Sequence, residues 1–142
     1  MAALTNKRTS RVRKIEGVDL LMAANAKIYT GAWTVLAAGY LKQGLAAAGL
    51  TMAGKASDTV DNTGGADGAL SCHVDFLCEK TLMPFIGDPA NLFTQANVGG
   101  PAYLLDDQTA TTVSSGHTSI GTMWMIDLKN GVQTVWVEVG HG

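Results

Sequence analysis

Near the C-terminus, a Lys129-Asn130-Gly131 step joins two runs of alternating apolar and polar residues, and it restricts the fold more than any other feature. Asn-Gly supplies both residues of a two-residue turn that needs φ > 0, so residues 120–128 and 132–139 read as the arms of a β-hairpin. In the second arm Val135, Val137 and Val139 share one face, while Trp136 and Glu138 share the other. The rest of the chain is punctuated in the same manner. Gly and Asx clusters, above all residues 61–70, separate short runs rich in branched and aromatic side chains.

Residues 28–36 form one such run, with Gly31 as a bulge or kink. Residues 18–25 fit either a short helix or an extended lead-in, and propensity does not decide between them. Residues 37–49 carry glycine at 39, 44 and 49, which opposes a helix, so a long loop with at most one helical turn is expected. Residues 50–56 read as a weaker strand. Residues 69–77 alternate clearly: Leu70, Cys72, Val74 and Phe76 lie on one face, Ser71, His73 and Asp75 on the other. Further short runs occupy 81–86, 101–105 and 110–113, with irregular chain over 90–100. Seven or eight short strands without a long helix predict an all-β, single-domain β-sandwich or jelly-roll-like barrel over residues 17–142.

Residues 1–16 stand apart as a flexible basic arm. Lys7, Arg8, Arg11, Arg13 and Lys14 are five of the ten basic residues, so the remaining five face twelve acidic ones. The first 14 residues therefore carry +5 and the rest of the chain −7, which suits docking on an acidic neighbour. No aromatic residue interleaves with the arm, so base stacking and direct nucleic-acid contact are not expected. Charged residues make up only 15% of the chain, well below the roughly 25% of average domains. So much neutral surface favours assembly. No apolar stretch approaches the ~20 residues that span a bilayer, and Glu16 and Asp19 interrupt any signal-like core, so a soluble, cytosolically made chain is expected.

No constellation of catalytic side chains stands out, and no enzyme activity is expected. Residues 49–55 satisfy GxxxxGK of the phosphate-binding loop, yet Ala56 stands where Ser or Thr should meet magnesium, and no helix pattern follows. Asp106 and Asp107 are adjacent and, in extended chain, point apart, which fits a turn whose side chains bond nearby N–H groups. His73, His117 and His141 lack metal-site spacing, and Ser114, Ser115 and His117 lack an elbow motif. Cys72 and Cys78 match neither a redox nor a zinc pattern and read as two free, packed thiols. No cofactor or metal is implied. Trp136 faces away from the valine stripe, and Met123 and Met125 alternate against Trp124 and Ile126. Both faces of the hairpin are therefore apolar, which places Trp136, Met123 and Met125 at a subunit interface.

Several of these segments occur in a familiar order: Tyr29-Thr30-Gly31, Ala38-Gly39-Tyr40, a Gly49-Leu50-Thr51-x-x-Gly54 step and residues 61–66. Residues 103–109 and the closing run 135–139 follow. Over residues 27–139 the chain resembles the capsid cement, or head decoration, proteins of tailed bacteriophages. The resemblance implies a compact β-barrel or jelly-roll-like sandwich on the outer capsid surface of the virion, without catalytic function. It implies the major capsid protein as partner, together with further copies of the chain, a dimer before a trimer. The basic arm lies outside the resembling segment, and on this reading its Arg8, Arg11, Arg13 and Lys14 are expected to contact an acidic capsid neighbour. A carbohydrate- or receptor-binding surface module is the alternative reading.

Overall fold

The computed structural model describes residues 17–75 and 82–139, and within them the chain is nearly all β. Twelve strands run in order: β1 (Gly17–Leu21), β2 (Lys27–Ile28), β3 (Trp33–Ala37), β4 (Tyr40–Gln43), β5 (Thr51–Ala56), β6 (Val60–Asp61), β7 (Ser71–Asp75), β8 (Leu82–Gly87), β9 (Pro101–Leu104), β10 (Thr109–Thr111), β11 (Thr118–Lys129) and β12 (Val132–Val139). A single 3-10 turn, Gln95–Asn97, interrupts them. The first half builds a five-stranded sheet in the order β1-β7-β5-β3-β4, and the second half a closed barrel, β10-β8-β12-β11-β9. β2 and β6 pair as a separate small ribbon.

Strand β3, together with β5 and its bulge at Ala53, locks the two halves together. Trp33 and Val35 of β3, with Met52 of β5, enter the barrel-side core beside Phe85, Leu104, Ile120, Met123, Val135 and Val137. Their sequence neighbours point the other way. Ala53 and Ala56 join Met22, Ile28, Leu41, Cys72 and Val74 in a second core, against which Leu36 packs. Trp33 and Phe85 stack at the junction, ring centroids 4.6 Å apart. Thr34 is wholly buried between these apolar faces and donates its hydroxyl to the Gly54 carbonyl at 2.8 Å.

The sheet itself curls until its two outer strands nearly meet. A parallel bridge joins Met22, just past β1, to Leu41 of β4, and the Ala23 N–H donates to the Leu41 carbonyl at 2.8 Å. The Asx- and glycine-rich residues 61–70 close the second core from the same side. Buried Asn62 donates its amide to the Ala23 and Ala66 carbonyls, Asn25 accepts from the Gly64 N–H, and Asp67 accepts from the Ala24 N–H. At the barrel mouth, the Asp88 carboxylate accepts from Thr111, Asn91 and the Ala90 N–H. Burial opposes its ionisation, but these donors outweigh that and hold the carboxyl below its ordinary value. Gln133 pins the following loop through both the N–H and the carbonyl of Phe93.

The expected hairpin is present, with Asn130 at φ 50° and Gly131 at φ 77° between β11 and β12. Residues 18–25 resolve as strand β1 and a turn, and residues 28–36 as β2, a turn at Gly31 and β3. The expected long loop over 37–49 is corrected: it contains β4, joined to β3 by a second two-residue turn, Ala38 (φ 51°) and Gly39 (φ 86°). Alanine in the left-handed region carries a Cβ penalty of roughly 1–2 kcal/mol that asparagine largely avoids. Ala38 is exposed, so nothing else opposes a change there. Ala38→Asn should stabilise the chain by about 0.5–1 kcal/mol, seen as a higher urea midpoint at unchanged m-value.

Candidate interaction surface

The barrel's outer face is built by three adjacent strands. Register places Pro84 of β8, Trp136 of β12 and Met125 of β11 side by side, followed by Ile86, Thr134 and Asp127. Pro84 and Met125 are exposed and Trp136 is half-buried, so an apolar row crosses the face. Trp124 stands beside it as an inserted residue: Met123 pairs with Val137 and Met125 with Trp136, leaving Trp124 opposite no partner. That bulge turns the strand over by one residue. Trp124, 47% exposed, lies next to Gly99, whose loop bonds the bulge through the Gly99 N–H to the Met123 carbonyl.

The bulge corrects one sequence expectation. Met123 does not share a face with Met125; it is wholly buried in the barrel core, whereas Met125 is 53% exposed. Met123 is thus unavailable to a partner, while Met125 and Trp136 do meet on the outer face. Arg8, Arg11, Arg13 and Lys14 lie outside the described residues. Met123→Ala should cost about 2–5 kcal/mol of stability, as large-to-small core changes do, while Met125→Ala should change it by no more than about 0.5 kcal/mol. Chemical denaturation of the two variants checks the pair.

A charged cluster sits where β1 begins. His73 faces Asp19 across the β1–β7 ladder, with Nδ1 to Asp19 Oδ1 at 2.8 Å and Nε2 to Asp75 Oδ1 at 3.5 Å. The hydrogen bond to Asp19 raises the imidazole pKa against a smaller desolvation effect, and Asp75 and Asp58 add to the rise. Sequence showed His73 and Asp75 on one polar face but gave no sign of Asp19, which the antiparallel pairing of β1 supplies. A raised folded-state pKa stabilises the fold below the ordinary value near 6.5, and this contribution is lost as pH rises through the folded value. As pH falls through the folded value toward 6.5, the wild type should gain stability relative to His73→Gln and hold that gain down to the carboxylate range. Melting temperatures of both proteins across pH 5–8 check this.

The second region of interest lies along the seam between sheet and barrel. Tyr29, Thr30, Gly31, Ala32, Asp107 and Gln108 line one hollow of about 290 Å³. A neighbouring hollow of about 200 Å³ shares Gly31 and Gln108 and adds Lys55, Pro84 and Thr134. The loop bearing Asp107 and Gln108 is docked by its carbonyls, which accept from the Trp33 and Ile86 N–H groups at 2.9 and 3.0 Å. Burial, with Asp106 next to it, pushes the Asp107 carboxyl up. Asp106 accepts from the Gln108 N–H at 2.9 Å, the turn expected from sequence.

The remaining motifs fall on ordinary structure. Lys55 belongs to β5 and pairs with Trp33, so no helix start follows the GxxxxGK match. His117 bonds the Ser115 carbonyl and not a serine hydroxyl. Cys72 is a buried free thiol, and burial pushes its pKa up. Cys78 and His141 lie outside the described residues. Among the described residues, no three His, Cys, Asp or Glu side chains are grouped to hold a metal ion, and no helix is long and apolar enough to cross a membrane. No family model, curated protein or solved structure matches the chain.

Proposed function

We propose that this chain is a structural virion protein of the capsid cement type, binding the outside of an assembled head and holding major capsid subunits together. The observation that carries this reading is the row formed by Pro84, Trp136 and Met125, with Trp124 beside it. Large exposed apolar side chains grouped on a rigid face mark contact sites, and aromatic residues and Met are enriched there. The resemblance over residues 27–139 supplies the kind of assembly. The row meets a second copy of the chain, a dimer before a trimer, and the arm with Arg8, Arg11, Arg13 and Lys14 reaches over an acidic capsid neighbour.

The benefit to the head is linkage. A ligand that binds the assembled lattice and not its free subunits stabilises it by about 2.7 kcal/mol per site at a hundred times its Kd. An oligomer spanning several subunits gains further from effective concentration. Chemistry plays no part in this role.

Sedimentation of the purified chain, alone and mixed with expanded empty heads, tests it. The chain should sediment as an oligomer and co-sediment with heads, whereas a monomer that ignores them rejects the reading. Met125→Lys puts a charge into the apolar row and should weaken self-association about tenfold or more, with the melting temperature of the dilute, dissociated chain unchanged. Binding lost at high salt assigns the head contact to the arm, because exposed charges are screened within about 8 Å at physiological ionic strength.

A further inference from the structure

We propose that the seam between sheet and barrel is a binding site for a neutral oligosaccharide. It goes beyond the assembly role, and its site adjoins the assembly face, sharing Pro84 and Thr134 with it. The seam is an open hollow: the stacked Trp33 and Phe85 rings are part of its lining, and strands β3, β5, β8 and β12 all contribute to it. Two hollows of about 290 and 200 Å³ run together through Gly31 and Gln108, a size that suits a small ligand. Gly31, at φ 89°, keeps the middle open; a Cβ there would approach nothing closer than Lys55 Cε at 4.0 Å.

The chemistry of the lining selects the ligand class. Tyr29 is 54% exposed on the rim, and the Lys27 ammonium lies 5.1 Å from its ring centroid. An aromatic ring held in place at a cleft edge offers apolar area to the C–H face of a sugar and a hydroxyl to its oxygens. Gln108 exposes its amide at the rim, and half-buried Asp107 lies beside it in the lining of the first hollow. Lys55 and Thr134 add an ammonium and a hydroxyl across the second hollow. Carboxylate and amide accept or donate two bonds in a plane, matching vicinal hydroxyls that both donate and accept. Lys55 and Asp107 balance each other in the lining, and Lys27 on the rim is paired with Asp61 at 3.9 Å, which favours neither a polyanion nor a polycation.

The test is a neutral glycan array of glucans, galactans, mannans and chitooligosaccharides, followed by titration of the strongest hit into the ¹⁵N-labelled full chain. Binding should shift the Gly31 and Gln108 amides, with Tyr29→Ala and Gln108→Ala each weakening it by about tenfold or more. Leu128→Ala, at the exposed hairpin tip, should leave affinity unchanged. Tyr29 and Gln108 are exposed, so unchanged melting temperatures should accompany the loss. An array without hits, shifts confined to residues outside the cleft, or full affinity in Tyr29→Ala overturns the proposal. None of these outcomes bears on sedimentation with heads, so the two readings fail separately.

Discussion

Strands β3 and β5 are buried on both faces, and the rest of the molecule is arranged around that requirement. Every side chain on Trp33-Thr34-Val35-Leu36 must meet a packed surface, whichever way it points. The barrel satisfies one face through Phe85 and the valines of β12; the curled sheet, with Met22, Ile28 and Leu41, satisfies the other. Aromatic side chains bury 150–250 Å² each, so the Trp33–Phe85 stack alone contributes on the order of several kcal/mol to joining the halves. Thr34 shows how strict the rule is: its hydroxyl is tolerated because the Gly54 carbonyl receives it.

How far this was legible depends on whether local chemistry or distant pairing decided each element. The Asn130-Gly131 hairpin and the Asp106 turn follow from residues that prefer those backbone states, and both are present. The all-β class followed from the absence of helical period. Strand β4 was hidden because its turn uses Ala38, a residue that rarely takes positive φ. Met123 was misassigned for a different reason. Counting alternate residues presumes an unbroken ladder, and the extra residue at Trp124 reverses inside and outside from that point on.

The candidate sites were less legible still. Trp136 and Met125 were singled out from pattern, and the register sets them side by side. The seam cleft joins Tyr29 to Asp107, and the β1 cluster joins Asp19 to His73. No spacing rule links such distant positions, because sheet order brings them together. Nothing in the identity of Tyr29 or Gln108 alone marks them as lining residues.

The bridge between Met22 and Leu41 also bears on how the borders of the first sheet can meet another strand. A sheet with two long free borders offers each neighbour a row of unsatisfied N–H and carbonyl groups, and crowding then favours uncontrolled strand addition. Among the described residues one five-stranded unit is a closed ring, and a bridge joins the two outer strands of the other, which leaves its borders less open to strand addition. Drawing the outer strands together in this way protects that sheet against uncontrolled strand addition.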